Sequence, residues 1–355
     1  MKVSKHSPIK ILGGGIAGLT AGIFLKQAGY DPIIYEKNIQ CGAGRHGDIE
    51  GLETWNFNAN PIEFLNQLNI PLDFHYRAET HFKIHFDQFP SIQISSPSPF
   101  FYFLKRGDSK GDIDRELQTL ALSMGCEIRF GFASKKDNMA IIATGAKKAR
   151  AYIQGITFKT DLPDQTHLFL NNSLTKTGYG YLIIWNGNAT LSVAYKKEDD
   201  KDKNILDKLI EICQNNLEIK IPEENQKFGS YGSFDINQPK IDKSGKLYIG
   251  EAGGFQDYLF GFGMNSAIQS AYFAIKSLVS SQNFIKNIDN NIMPHMKASL
   301  VNRYFYEKLN EKNKYKICKI LSESKDPLTI LKKRSNYSLK KKLMFKLLNR
   351  KLKSL

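Results

Sequence analysis

The run Gly13-Gly14-Gly15-Ile16-Ala17-Gly18 constrains the fold of this chain more than any other feature, because of what flanks it. Residues 10–14 read as a strand ending in glycines, and residues 16–28 as an amphipathic helix closed by Gly29. Residues 31–35 read as a second strand, which Glu36 ends, and Lys37 after it is a further candidate for cofactor binding. Strand, glycine turn, helix, strand and acid in that order predict a βαβ unit that holds a dinucleotide. Gly13 permits the tight turn, Gly15 lets the backbone approach a pyrophosphate, and Gly18 allows the helix to pack on the strand. The helix start at Ile16 and Ala17 turns N–H groups and a positive dipole end toward the phosphates. Glu36 is set to accept hydrogen bonds from a ribose.

The rest of the 355-residue chain is long enough for two intertwined domains, and 41% apolar with 24% charged residues is ordinary globular composition. Cys41, Cys126, Cys213 and Cys318 have neither CxxC nor metal-like spacing, which predicts reduced thiols in a cytoplasmic protein. Residues 1–10 are basic but lack the apolar core of a signal peptide, and no run of about 18 apolar residues occurs. The net charge of +15 is uneven: residues 331–355 carry ten Lys and Arg and no acid, leaving +5 for the first 330 residues.

Further along, residues 80–87 alternate with Phe82, Ile84 and Phe86 on one face and His81, Lys83, His85 and Asp87 on the other, a half-buried strand. His81 and His85 lie about 13 Å apart along such a strand, too far to share an ion, so no metal site is expected. Residues 181–185 and 189–195 flank Asn186-Gly187 and predict a hairpin with a type I′ turn. Residues 111–124 and 262–278 read as helices, residues 126–130, 139–144 and 246–250 as strands, and residues 197–226 as a charged, exposed helical stretch. From residue 292 onward the chain is helical and increasingly basic. A nucleotide domain interrupted by a sheet-bearing domain fits this order of elements.

The second chemistry-bearing segment is Leu247-Tyr248-Ile249-Gly250-Glu251-Ala252-Gly253-Gly254, a strand entering a glycine-rich turn, after which Gly261-Phe262-Gly263-Met264-Asn265 opens a helix. With this segment the chain resembles the p-hydroxybenzoate hydroxylase-like flavoproteins and, within them, the geranylgeranyl reductase family. Three more segments are similar to that group: Cys41-Gly42-Ala43-Gly44 to its Cys-Gly loop, Asp114-Arg115-Glu116-Leu117 to its Asp-Arg-x-Leu helix, and Ala143-Thr144-Gly145 to its second glycine turn. Tyr179-Gly180-Tyr181-Leu182-Ile183 stands where those reductases carry Tyr-x-Trp-x-Phe-Pro, with Tyr181 at the Trp position and no Phe-Pro.

The resemblance implies an α/β, two-domain FAD-binding fold, Rossmann-like and of the p-hydroxybenzoate hydroxylase type, with a β-sheet substrate domain and a helical C-terminal tail. Residues 1–60, 105–160 and 235–290 would form the FAD-binding domain, 61–104 and 161–234 the substrate domain, and 291–355 the basic helical region. It implies that Glu251, next to Gly250, binds the ribityl chain, that Gly261, Gly263, Met264 and Asn265 face the flavin, and that Cys41 lies beside it as the candidate catalytic residue. Arg45 is a candidate for the pyrophosphate, and Tyr179 and Tyr181 for the substrate wall.

The activity implied is reduction of carbon–carbon double bonds in a prenyl or lipid-like substrate by hydride transfer from reduced flavin. The alternatives are an FAD-dependent monooxygenase of the same fold and a flavin- or lipid-binding protein without turnover. No second glycine fingerprint for a nicotinamide cofactor is present, so NAD(P)H or another reductant would bind transiently.

Written as a helix, residues 338–355 put Lys342, Lys346, Arg350 and Lys353 on one face and Met344, Leu348, Leu352 and Leu355 on the other. That pattern predicts peripheral contact of 331–355 with the inner face of a membrane, in preference to nucleic acid.

Overall fold

The computed structural model describes residues 7–57, 59–132, 138–145, 148–200, 203–280 and 282–348. Its nucleotide-type layer is a five-stranded, wholly parallel sheet of Glu127–Arg129, Pro32–Tyr35, Ile9–Leu12, Ile141–Ile142 and Leu247–Tyr248, in that spatial order. In order of appearance along the chain the strands run third, second, first, fourth, fifth, so the order reverses between Ile9–Leu12 and Ile141–Ile142. In doubly wound sheets the crevice at such a switch point is where ligands bind.

The helix Ile16–Gln27 differs from its amphipathic reading. Its residues Ile16 through Leu25 are all buried, because the helix is covered by Met264–Val279 and Ile113–Ser123 as well as by the sheet. A helix enclosed on every side has no solvent face to mark with polar residues.

The second layer is a seven-stranded sheet in the order Gln226–Gly232, Ala151–Lys159, Asn188–Tyr195, Tyr179–Trp185, Gln165–Phe169, His81–His85 and Ile92–Ser95. All pairs are antiparallel except Gln165–Phe169 with His81–His85. The hairpin forms around Asn186 and Gly187, whose φ angles of 49° and 68° match a type I′ turn, with Trp185 paired to Asn188. His85 leaves the polar face expected for it: it is buried, stacked between His167 and Phe169, with its Nε2 2.8 Å from His167 Nδ1.

Four placements depart from the sequence-based grouping. Residues 151–159 pair into the seven-stranded sheet rather than the parallel one. Ile49–Glu53 joins Phe101–Lys105 and Tyr76–Glu79 in a three-stranded antiparallel sheet, while Pro61–Gln67 sends Ile62 and Leu65 into the core of the parallel layer. The C-terminal helices are not an appendage. Met293 and Met296 enter the core of the parallel layer, and Cys318, Leu321 and Leu328 pack with Trp55, Ile84, Ile94 and Phe100.

The glycine turn sets a sharp stability requirement. A Cβ on Gly18 would stand 1.8 Å from the Gly13 carbonyl oxygen, whereas one on Gly44 would meet nothing closer than Asn38 Nδ2 at 3.9 Å. Gly18→Ala is expected to lose at least about 2 kcal/mol in urea unfolding, and Gly44→Ala under about 0.5 kcal/mol. Equal losses for the two substitutions would contradict the close contact.

Candidate active site

A cavity of about 670 Å³ opens at the C-terminal edge of the parallel sheet and runs beneath the seven-stranded sheet. Its first wall follows from the glycine turn. Gly13 has φ 110°, and a Cβ there would approach the Ala143 carbonyl oxygen to 2.3 Å, so the first and fourth strands can meet only through a glycine. Gly15 has the opposite surroundings: a Cβ would meet nothing within 4 Å, and the residue borders the cavity with Ile16 and Ala17.

The helix that starts there has no side-chain cap and no acid in its first turn. The helix Met264–Val279 starts the same way, at Gly263, and Gly263, Met264 and Ala267 border the same cavity. Gly250, with φ 56°, separates the two starts: a Cβ on it would lie 2.9 Å from the Ala17 Cβ and 3.7 Å from the Ala267 Cβ. Two helix N-termini with uncapped N–H groups therefore converge on one space, which favours negative charge in it. Glu251 lies on the wall between them, its Oε1 accepting from the Ser233 amide at 2.8 Å. Gly261, with φ 78°, completes this side.

The facing wall carries an ion cluster in which Arg106 and Asp114 are buried and Arg45 and Glu50 are partly exposed. Arg106 donates from Nε and Nη2 to the two carboxylate oxygens of Asp114 at 2.8 and 3.0 Å, and from Nη1 to Glu50 Oε2 at 3.0 Å. Arg45 Nη1 reaches the other oxygen of Glu50, also at 3.0 Å. Burial opposes ionisation of Glu50, but the charges of Arg45 and Arg106 outweigh it and hold the carboxyl down at about 2. Asp48, next to it, goes the other way: burial, then the Glu50 charge, pushes its carboxyl up to about 7. Arg45, Asp48, Glu50 and Arg106 all border the cavity. Arg106 had no signal in the sequence, since it reaches the Asp114 it pairs with only after the loop of residues 107–112 turns back into the helix Ile113–Ser123.

Beyond this cluster the cavity becomes apolar. Trp55 takes edge contacts from Phe101, Phe260 and Phe262 at 5.0, 6.3 and 5.5 Å between ring centroids. Tyr179 and Tyr181 stand on this part of the wall, both phenols raised above their ordinary range by burial, and the Tyr179 hydroxyl donates to the Phe260 carbonyl. Phe305, Tyr306, Ile317 and Leu331, from the C-terminal helices, close the far side.

Besides the structural glycines Gly13 and Gly18, four of the residues nominated from sequence do not border the cavity. Glu36 is buried, with its carboxylate accepting from the amides of Gly14 at 2.8 Å and Asn38 at 2.9 Å, so it fastens the glycine turn. Lys37 is exposed. Cys41 is packed behind Gly14, and burial, followed by the charges of Glu36 and Asp114, pushes its thiol up to about 12, which keeps it protonated. Asn265 is buried, donating to the Glu53 carbonyl at 3.4 Å and accepting from Gln269 at 3.0 Å.

A family model for NAD(P)-binding Rossmann-like domains matches residues 11–53. No curated protein sequence matches the chain. Solved structures share its fold over nearly its whole length. A geranylgeranyl bacteriochlorophyll reductase-like protein from Thermoplasma acidophilum is similar with a TM-score of 0.68 at 18% identity, covering 97% of this chain and 98% of that one. The flavin-dependent brominase Bmp2 gives 0.61 at 15% identity over 97% and 100%. CtdE in complex with FAD gives 0.53 at 16% identity over 92% and 97%. The fold is thus a mixed α/β one with a Rossmann-like domain, of the kind found in flavin-dependent oxidoreductases.

Glu53, beneath the cavity, supplies a pH test of this buried architecture. Its Oε1 accepts from Asn56 at 3.1 Å, its Oε2 has no partner among the described residues, and burial pushes the carboxyl from 4.5 up to about 8. Between those values the folded chain holds a proton that the unfolded chain has released, so stability falls as pH rises, by up to about 1.4 kcal/mol per unit. Glu53→Gln removes this share: its stability relative to the parent is expected to improve steadily from pH 5 to pH 8 in urea unfolding. A difference that does not change with pH would contradict the protonated Glu53.

Proposed function

We propose that this cavity holds FAD and that the protein is an FAD-dependent oxidoreductase that reduces carbon–carbon double bonds in a prenyl or lipid-like substrate. The observation that carries this reading is the continuity of one cavity from two uncapped helix N-termini to an aromatic, apolar chamber. A dinucleotide fits the first part on the chain's own terms. Gly15 leaves the space a Cβ would fill, and amides at Gly15 to Ala17 offer donors to a pyrophosphate. Arg45 would add a cation for that group, Glu251 would accept from a ribityl chain, and the amides at Gly263 and Met264 would serve the ring system. When bound, FAD supplies two-electron transfer chemistry.

The chain's part in the reaction is to orient, to exclude water and to manage charge. The helix start at Gly263 and Met264 stabilises negative charge that develops beside it. Trp55, Phe101 and Phe262 present an apolar wall that suits a hydrocarbon chain and keeps water from the reacting carbons. Asp48, whose carboxyl is pushed up to about 7 by burial and then by the Glu50 charge, is the cavity-wall group suited to pass a proton to the carbon opposite the one that takes the hydride. The reductant, NAD(P)H or another donor, would bind without a domain of its own.

Likeness to a reductase-like protein supports the reductase reading, while likeness to a brominase keeps oxygen chemistry as the second one. Mass spectrometry of prenyl lipids incubated with the reduced protein, without and with oxygen, separates them. A gain of about two hydrogens in the anaerobic sample is expected of a reductase. An added oxygen atom, seen only in air, would identify a monooxygenase, and unchanged lipid under both conditions would leave a binding protein without turnover.

A further inference from the structure

The helix Leu339–Leu347 divides its apolar residues between two faces. Met344 and Phe345, with Leu348 just after the helix, pack against Tyr258, Leu300 and Val301 and fix it to the body of the protein. Lys297 adds a cation over the Phe345 ring, 5.9 Å from its centre. The opposite face carries Leu339, Leu343 and Leu347, one per turn, which are 82%, 59% and 74% exposed. This overturns the face expected from sequence: Met344 and Leu348 point inward, while Leu352, Leu355, Arg350 and Lys353 lie outside the described residues.

Exposed leucines occur singly on most proteins, but a row over three successive turns leaves an apolar strip that water solvates poorly. Its flanks are cationic. At about 100° per residue, Lys340 lies on one side of the row and Lys342 and Lys346 on the other, and all three are exposed. Lys332, Lys333 and Arg334 are exposed on the preceding helix, Pro327–Ser335, and residues 331–355 contain no acid. A second copy of this chain would set these lysines against their own kind. A nucleic acid would pair with the lysines and leave the leucines in water. An anionic lipid surface takes both, with leucines among the upper acyl segments and ammonium groups at the phosphates.

We propose that the Leu339, Leu343 and Leu347 row is a docking face that rests in the interface of an anionic phospholipid bilayer. No helix among the described residues is long and apolar enough to cross a membrane, so the contact is peripheral. The same two helices also wall the cavity, through Leu331, Arg334, Ser335 and Lys341. Lys341 sits on the inner flank, its ammonium donating to the Arg334 carbonyl. Docking therefore brings the apolar end of the cavity to the lipid surface, a placement that suits a membrane-resident substrate and does not depend on which reaction the cavity performs.

The test is co-sedimentation of the full chain with phosphatidylcholine vesicles, neutral or containing about one third phosphatidylglycerol. The parent protein is expected to sediment with the anionic vesicles and remain in solution with the neutral ones. The triple variant Leu339→Ser, Leu343→Ser and Leu347→Ser should bind at least about tenfold more weakly with an unchanged thermal midpoint. Lys340→Glu, Lys342→Glu and Lys346→Glu together should also weaken binding, and provide the second reading if the serine variant folds poorly. Serine and parent proteins binding alike would overturn the proposal, as would a parent protein that ignores anionic vesicles. Self-association lost in the serine variant, without vesicle binding, would assign the row to a second copy, and binding to duplex DNA alone would assign the lysines to nucleic acid; either also overturns it.

Discussion

At Gly13 the first strand leaves the parallel sheet and turns across the end of the fourth, with the Ala143 carbonyl where a side chain would stand. Everything in the site is built outward from that crossing. Gly18 must lie against the Gly13 carbonyl for the helix to begin where it does, and Gly250 must lie between the first turns of this helix and of Met264–Val279. Three positions without side chains thus bring two positive helix ends together at the switch point of the sheet. Glu36 secures the arrangement from below by binding the amides of Gly14 and Asn38.

The facing wall answers this concentration of donors with buried charge. Arg106 is held by Asp114 on one side and by Glu50 on the other, and Glu50 is shared with Arg45. Such a cluster gives little net stability, because desolvation cancels most of the attraction, but it fixes the position of each member. The cost falls on Asp48, whose carboxyl is pushed up to about 7 by burial and the Glu50 charge. One cavity therefore runs from helix-end donors, past a titratable acid, to hydrocarbon-like walls.

What the sequence made legible was local. The glycine turn, the strands beside it, the Asn186-Gly187 hairpin and the helix at Met264 each depend on a few adjacent residues. What it hid depended on distance. Arg106 meets Asp114 only after a loop folds back, and residues 151–159 alternate as well for one sheet as for the other. In the helix at Leu339 two apolar stripes compete, and the choice between them is made by Tyr258 and Leu300, many residues earlier. Cys41 illustrates the same limit from the other side: its loop matches a family pattern, but its surroundings, Gly14 and Glu36, make the thiol inert.

Titration of FAD with the purified protein, followed by flavin fluorescence, tests most directly whether a dinucleotide occupies the space that Gly15 leaves open. Saturable binding of one FAD per chain is predicted, tighter than that of NAD, and abolished by Gly15→Val while the far-ultraviolet circular dichroism is retained. Flavin that stays free in excess protein, or that binds equally well to the Gly15→Val variant, would contradict it.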